Sequence, residues 1–294
     1  MNILHNFEYH KPITQKEALS LAENYGEKAK FLAGGTDLVI QMKEKMLAPE
    51  VIIDISDIDE LKGIKCESGK GAEIGACTTI CDIEFSDDIQ KKFGALAHAA
   101  GELGSNQVRV MATIGGNCCH SSPAAETPAS LCAYDAKVVI AGSQGERKMP
   151  IEEFIQGNRT NALEKGEMVT KFILPEPAKK SACKYGYIGL RNAMEIDAVN
   201  MAVTVKLADD GETIDDVKLV MGSVSPRPLI SEKVPALVKG QKLSDDLLIK
   251  VGEAAQSEAK PISDVRASAE YRKETVDALA RRLTKEAYEA AKEA

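Results

Sequence analysis

The sequence predicts an α+β fold made of a larger N-terminal unit and a smaller C-terminal one. Short apolar strands alternate with helical segments as far as about Leu174, and Pro175-Glu176-Pro177 then interrupts the pattern. Two prolines that straddle one residue suit an extended linker and neither a helix nor a central strand. Two strands joined by a hairpin turn follow the linker, and helices fill the rest of the chain. The predicted units are residues 1–175 and 178–294.

Helix caps and apolar runs set the predicted elements. Thr14 is expected to cap the first helix and Gly26 to end it, because a hydroxyl accepts free amides at a helix start and glycine favours the left-handed turn at a helix end. Val51-Ile52-Ile53-Asp54-Ile55 is an apolar, β-branched run interrupted only by Asp54, typical of a buried strand. The other predicted strands are 31–33, 62–66, 72–75, 137–141, 198–207 and 217–224, and the other predicted helices are 36–48, 90–101, 124–134, 245–260 and 268–294.

The composition excludes several classes of protein. A hydrophobic content of 44% and a charged content of 28% are ordinary for a globular domain. A formal charge of −8 argues against nucleic-acid binding, which needs clustered lysine and arginine. No run of 18 apolar residues predicts a membrane span, and the polar segment 1–11 lacks a secretory core, so a cytoplasmic location is expected. The seven cysteines are expected to be free, mostly buried thiols.

The first of two glycine loops is Phe31-Leu32-Ala33-Gly34-Gly35-Thr36-Asp37-Leu38, where paired glycines stand between a strand and a helix. Glycine adopts positive φ and lets another group approach bare amides closely. Amides at a helix start carry partial positive charge, which suits a phosphate. The spacing fits neither Gly-x-Gly-x-x-Gly nor Gly-x-x-x-x-Gly-Lys-Ser/Thr, so a Rossmann fold or a P-loop is disfavoured.

The second glycine loop, Thr113-Ile114-Gly115-Gly116-Asn117, has the same pattern of paired glycines followed by a capping-type side chain. Two such loops can hold the two phosphates of one dinucleotide from opposite sides, with Gly35 and Gly116 at positive φ, where a β-branched residue is costly. The alternative is that both loops are merely tight strand-to-helix turns. Spacing alone leaves these two interpretations open.

Further segments decide between them, since together with the loops they resemble the flavoprotein family of xanthine dehydrogenase and carbon monoxide dehydrogenase. The loops resemble the family's paired pyrophosphate loops, and the resemblance covers nearly the whole chain. The segments that carry it are Ala33 to Asp37, Ala112 to Asn117, Ser122 to Pro128, Leu131 to Ala136, Met221 to Pro228 (the family's Gly-x-Val-x-Pro-x-Pro) and Ser263 to Arg272 (its Asp-x-Arg-x-Ser-x-x-Tyr-Arg).

The resemblance implies a vanillyl-alcohol-oxidase-like (PCMH-type) FAD-binding domain in residues 1–175, with FAD between subdomains of about 1–56 and 57–175. A flavoprotein C-terminal domain is implied for 178–294. Main-chain amides of both loops are expected to bind the pyrophosphate. The implied FAD-binding residues are Phe31, Leu32, Ala33, Gly34, Gly35, Thr36, Asp37, Leu38, Gly104, Thr113, Ile114, Gly115, Gly116, Asn117, Glu126, Val169 and Tyr187. Relatives commonly have Asp where Glu126 stands and often Lys where Tyr187 stands.

The resemblance also implies an electron relay. Substrate is hydroxylated at a molybdopterin centre on a large partner subunit, and electrons cross two [2Fe–2S] clusters on a small one. They reach FAD on this chain and pass to NAD⁺, NADP⁺ or another acceptor. The chemistry belongs to the flavin, so no catalytic side chain is expected.

Two alternatives stand beside the relay. One is a free-standing flavoenzyme of the same fold, like the enolpyruvyl reductase of cell-wall synthesis, and the C-terminal signatures argue against it. The other is a cofactor-free assembly subunit, against which the intact glycine pairs argue. No metal site is predicted, because Cys118-Cys119-His120 and Cys77-x-x-x-Cys81 lack a second pair at zinc spacing and an iron–sulfur cluster needs four cysteines. Arg191 and Arg266 are expected to form structural salt bridges rather than to contact a partner or a nucleotide.

Overall fold

The computed structural model describes residues 4–191 and 194–294. Strands and helices are both numerous, as the predicted α+β class requires. The strands are β1 (Glu8–His10), β2 (Ala29–Leu32), β3 (Val51–Asp54), β4 (Ile64–Glu67), β5 (Gly71–Gly75), β6 (Lys137–Gly142), β7 (Gly145–Pro150), β8 (Ile155–Gly157), β9 (Thr160–Asn161), β10 (Met168–Leu174), β11 (Ser181–Ile188), β12 (Val199–Leu207), β13 (Ile214–Gly222) and β14 (Leu229–Ile230). The helices are α1 (Gln15–Tyr25), α2 (Leu38–Lys43), α3 (Ile80–Glu84), α4 (Asp87–Lys92), α5 (Gly94–Glu102), α6 (Asn106–Arg109), α7 (Ile114–His120), α8 (Thr127–Ala133), α9 (Ile151–Phe154), α10 (Lys233–Val238), α11 (Asp245–Glu258) and α12 (Ala269–Glu293).

The first sheet is small and parallel, in the order β1-β3-β2. Its middle strand is buried along its whole length, Asp54 included, as the apolar, β-branched run predicts. Helix α1 packs on it through Ala18 and Ala22. The Thr14 hydroxyl accepts the Glu17 amide at 3.2 Å, and Gly26 at φ +57° ends the helix, so both predicted caps are confirmed.

The second sheet is antiparallel, in the order β4-β5-β10-β6-β7. Strand β10 comes last in the chain yet lies in the middle, between β5 and β6. The residues between β5 and β6 form helices α3 to α8, and their apolar side chains pack with the sheet in one core around Phe93, Phe154 and Phe172. The second glycine loop lies in this helical segment, beside the start of β10.

The third sheet is antiparallel, in the order β11-β12-β13-β14, and it joins the two parts of the molecule. Side chains alternate between the faces of a strand. On β12, Val199 and Met201 therefore pack with α11 and α12, whereas Ala202 joins the core of the second sheet. Thr204, on that same face, donates its hydroxyl to the Ala133 carbonyl at 2.8 Å. The C-terminal sheet is thus covered on both faces.

Three predicted helices differ from the structure: one is divided in two, and two are shorter than expected. The predicted helix 90–101 breaks at Phe93, whose fully buried ring stacks edge-on against Tyr134 while its backbone leaves the helical region. The predicted helix 36–48 begins at Leu38 and ends at Lys43, because Lys45 takes a left-handed conformation at φ +58°. The predicted helix 124–134 begins only at Thr127, which leaves Pro128 in the first turn, where a missing N–H costs nothing. Among the described residues, no helix combines the length and the hydropathy needed to cross a membrane.

Candidate cofactor-binding cleft

A cleft of about 1470 Å³ lies where the first sheet, the second sheet and the C-terminal domain meet. Sites for drug-sized ligands typically enclose roughly 300–1,000 Å³, so this cleft suits a longer molecule. The predicted site residues that line it are Phe31, Ala33, Gly34, Gly35, Thr36, Asp37, Leu38, Gly104, Thr113, Gly115, Gly116, Asn117, Glu126 and Val169. The structure therefore brings both glycine loops to one cleft.

Three of the predicted site residues do not line the cleft. Leu32 lies at the end of β2 and Ile114 is fully buried in the core of the second sheet. Tyr187, on β11, hydrogen-bonds to Glu102, which raises the pKa of its hydroxyl to about 12. Tyr187 is also packed against the core of the second sheet.

The first loop leaves main-chain donors free. Gly35 has φ +72°, and its carbonyl accepts the Val39 amide at 3.0 Å as α2 begins. Within residues 4–191 and 194–294, the amides of Gly35, Thr36 and Asp37 donate to no protein acceptor. Successive backbone amides left free in a tight turn form a concave anion-binding surface. The loop therefore presents its donors to the cleft.

Gly34 has a different role, because its backbone contacts the residues that lead into the second loop. A Cβ on Gly34 would lie 1.9 Å from the Met111 carbonyl oxygen and 3.0 Å from Ala112 Cα. No side chain fits in that space. The backbone of the first loop thus packs directly on the residues that lead into the second loop, and Gly34 is needed for the fold of the cleft.

The second loop uses its amides internally, which corrects the expected turn. Thr113 caps α7, and Gly115 and Gly116 lie in the first turn of that helix, without positive φ. A Cβ on Gly115 would lie 2.6 Å from the Ala76 carbonyl, so close packing explains this glycine. The amides and their acceptors are Ile114 to Thr78 O at 3.1 Å, Gly115 to Ala76 O at 2.9 Å, Gly116 to Thr113 Oγ1 at 3.0 Å and Asn117 to Thr113 O at 2.9 Å.

Comparison with known proteins shows which family the chain belongs to. Residues 5–177 match the family described as the FAD binding domain in molybdopterin dehydrogenase. The chain belongs to this family. Residues 187–287 of the flavoprotein match the CO dehydrogenase flavoprotein C-terminal domain. The resemblance inferred from the sequence is confirmed, and so is the two-domain FAD-binding fold.

Several relatives match the flavoprotein from end to end. The glyceraldehyde dehydrogenase medium chain of Sulfolobus acidocaldarius is 34% identical over 95% of this chain and 98% of its own. The nicotinate dehydrogenase FAD-subunit of Eubacterium barkeri is 30% identical over 95% of each. A solved structure of carbon monoxide dehydrogenase from Hydrogenophaga pseudoflava superposes with a TM-score of 0.92 at 30% identity, over 98% of this chain and 99% of that one. The chain is an FAD subunit of an oxidoreductase, as expected.

The cleft fits FAD on its own geometry. Free amides at Gly35 to Asp37 suit phosphate oxygens. On the opposite wall, the Asn117 amide group donates to Glu126 Oε2 at 3.2 Å and accepts the Thr127 hydroxyl at 2.6 Å. Burial raises the pKa of Glu126 to about 7, while the Asn117 hydrogen bond opposes that rise. Near neutral pH this carboxyl is therefore partly protonated, and the wall repels an anionic cofactor less than an ionised carboxylate would.

Several residues of the flavoprotein's cleft are not among the predicted FAD-binding residues. His120 lies 3.7 Å from Asp37 and 3.3 Å from the Gln41 amide, so it ties α7 to the first loop. Arg191 and Arg266 line the cleft from the C-terminal domain. Further lining residues are Leu103, Ser105, Leu190 and the segments 159–161, 163–167 and 194–196, most of which lie in loops. Loop residues carry no periodic signal, and only the glycine of the Lys165-Gly166 turn, at φ +79°, marks one of these segments in the sequence.

The seven cysteines are free thiols, as expected. Burial raises the pKa of Cys77 and Cys119 to about 12 and that of Cys118 further still. These thiols stay protonated at neutral pH, and a protonated thiol is neither a good nucleophile nor a metal ligand. Among the described residues, no three histidine, cysteine or acidic side chains cluster as metal ligands would.

Proposed function

We propose that this chain takes electrons from the [2Fe–2S] clusters of a small partner subunit into FAD and passes them to NAD⁺, NADP⁺ or another acceptor. The observation that carries the proposal is end-to-end similarity to proteins named medium chain or FAD subunit of a dehydrogenase. We further propose a large molybdopterin subunit as the second partner, where the substrate is hydroxylated. The family description, which names molybdopterin dehydrogenase, supports this assignment.

The residues proposed to hold FAD follow from the donors that the cleft offers. The first-loop amides of Gly35, Thr36 and Asp37 bind the pyrophosphate. Gly104, at φ +53°, and Val169, at the start of β10, shape the wall, and Glu126 contacts the cofactor from the wall opposite the first loop. When bound, FAD supplies the electron-accepting and hydride-transferring ring. The protein binds and orients it, and residues 1–175 and 178–294 are the proposed domains.

The decisive experiment is anaerobic reduction of the isolated flavoprotein. NADH or NADPH should bleach the visible flavin band if a nicotinamide nucleotide is the acceptor, because hydride exchange needs only an accessible flavin face and a groove that orients the nucleotide. Purines and nicotinate should not bleach it, because the relay requires the partner subunits. Bleaching by a heterocyclic substrate without partners would contradict the relay and favour a free-standing flavoenzyme. Acid precipitation should release the flavin, since the cleft cysteines are protonated and no covalent tether is expected.

We also propose that the protein is located in the cytoplasm. The free thiols support a reducing compartment. Fractionation of cells that produce the complex tests the location.

A further inference from the structure

A buried arginine stands behind the cleft without lining it. The Arg272 side chain, on α12, is only 3% exposed. Its guanidinium donates to the carbonyls of Ala198 and Ser223, the latter at 3.2 Å, and to Asp264 Oδ1 at 2.8 Å. A guanidinium presents several donors in a fixed planar fork, so one side chain holds three separate segments at defined angles.

One branch of this network reaches the wall that carries Glu126. Ser223 adopts φ +63°, a conformation that is costly for any residue with a Cβ and that persists only where the surroundings impose it. In that conformation its amide donates to the Pro123 carbonyl at 2.7 Å. Asn200, two residues after Ala198, donates to the Ala125 carbonyl at 3.4 Å. The segment just before Glu126 is therefore held by backbone that Arg272 anchors.

The other branch reaches Arg266, which lines the cleft from the C-terminal domain. Asp264 Oδ1, already bound to Arg272, also accepts the Arg266 amide at 2.9 Å. Asp264 Oδ2 accepts the Arg266 guanidinium at 2.9 Å. One carboxylate thus links the buried guanidinium to the one at the cleft.

Both branches start from residues that do not touch the cleft and end at residues that do. We propose that Arg272, acting with Asp264, is a positioning residue for FAD, because it sets the segment before Glu126 and the Arg266 side chain against each other across the domain junction. This inference rests on the proposed assignment of Glu126 to the cofactor site. It also explains why three separate sequence signatures, 122–128, 221–228 and 263–272, converge at one point of the fold.

The test compares the affinity of the flavin-free full chain for FAD in matched variants. In Arg272→Lys a single ammonium replaces the fork and cannot reach three acceptors at once. Asp264→Asn keeps an acceptor for the Arg266 amide and removes the charge that pairs both guanidiniums. Arg281→Met is the control, because it breaks an ion pair with Asp277 on the same helix without any link to the cleft. FAD affinity is followed by quenching of flavin fluorescence, and the geometry of the bound ring by visible circular dichroism.

Arg272→Lys and Asp264→Asn should raise the FAD dissociation constant at least tenfold and alter the circular dichroism of the bound flavin. Arg281→Met should lower the thermal midpoint and leave both flavin readouts unchanged. If Arg272→Lys does not fold, Asp264→Asn and Arg266→Gln test the proposal instead. Arg266→Gln removes one branch only, so a smaller rise of about threefold in the FAD dissociation constant is expected for it. Wild-type affinity in these variants, or an equal loss in the control, would overturn the positioning role. Failure of the wild-type chain to bind FAD would instead contradict the proposed function.

Discussion

The two glycine loops look alike in sequence and behave differently in the fold. In the first loop, the amides of Gly35, Thr36 and Asp37 are free, and all three residues line the cleft. In the second, the amides from Ile114 to Asn117 are all bonded within the protein. The residue three positions before the second glycine accounts for part of this difference. There the second loop has Thr113, whose hydroxyl caps the Gly116 amide, and the first has Leu32, which has no acceptor in its side chain.

This contrast shows that paired glycines serve two separate needs. One need is a left-handed backbone that exposes donors, which applies at Gly35. The other is contact between backbones, which applies at Gly34 and Gly115, where a Cβ would lie within 3 Å of a carbonyl oxygen. The first loop therefore offers free main-chain donors to a ligand. The second supports it and offers side chains to the cleft.

Gly34→Ala should have the largest effect, since the added methyl group would overlap the Met111 carbonyl and force the loops apart. Overpacking costs roughly 1–3 kcal/mol. We expect urea denaturation to show a loss of stability at the upper end of that range, together with loss of FAD from the purified chain. Gly94→Ala is the matched control, because a Cβ there meets nothing within 4 Å. Wild-type flavin content in Gly34→Ala would show that the loops do not need their direct contact.

Gly35→Ala should have the next largest effect. A left-handed conformation costs a residue with a Cβ roughly 1–2 kcal/mol. The fold should survive, because the new methyl group meets only the Leu32 and Val39 side chains, at 2.9 and 3.2 Å. FAD affinity should fall at least tenfold as the free amides turn away. Gly35→Asn should recover part of the stability in the same denaturation experiment, because asparagine tolerates this conformation better than alanine. Equal stability of the two variants would argue against strain as the cause.

Gly116→Ala should have a small effect, contrary to what its place in a glycine pair suggests. Its φ is not positive, and the added Cβ would meet only Thr113 Oγ1, at 3.0 Å. Alanine gains up to about 1 kcal/mol over glycine in a helix, which offsets that crowding. We expect unfolding free energy within about 0.5 kcal/mol of wild type, as for most mild substitutions, and FAD affinity within threefold by fluorescence titration. A loss of FAD as complete as in Gly35→Ala would assign pyrophosphate binding to both loops and remove the contrast.

A modest effect is also expected on the pH dependence of FAD binding. Because burial raises the pKa of Glu126 to about 7, its carboxyl is mostly neutral at pH 6 and mostly ionised at pH 8. An ionised carboxylate repels the phosphates of FAD, so the dissociation constant should rise severalfold between these values. Glu126→Gln should flatten the profile measured by fluorescence titration. A slope that persists in this variant would assign the titration to another group, such as Asp197, whose pKa burial raises to about 8.

Local chemistry predicts much of the fold. Thr14 and Gly26 bound α1 as a hydroxyl cap and a left-handed glycine should, and Asp210-Gly211 turns the hairpin between β12 and β13 with Gly211 at φ +70°. The break of the predicted helix at Phe93 is different in kind. That ring leaves the helix to fill the core against Tyr134, a residue distant in sequence, and tertiary packing overrides helix propensity there.

The sequence alone determined the fold class and the two-domain order, because caps, turns and apolar periodicity act between residues close in the chain. Its resemblance to known flavoproteins, carried by several signatures in order along the chain, predicted the family and pointed to both glycine loops. Only the tertiary structure decided which loop keeps free donors, because the acceptors at Ala76 and Thr78 reach Gly115 and Ile114 across the fold. It likewise moved Tyr187 away from the cleft and brought Arg266 to it. A donor bonds to whichever acceptor lies near it in the folded chain, and the order of residues in the sequence does not show which acceptor that is.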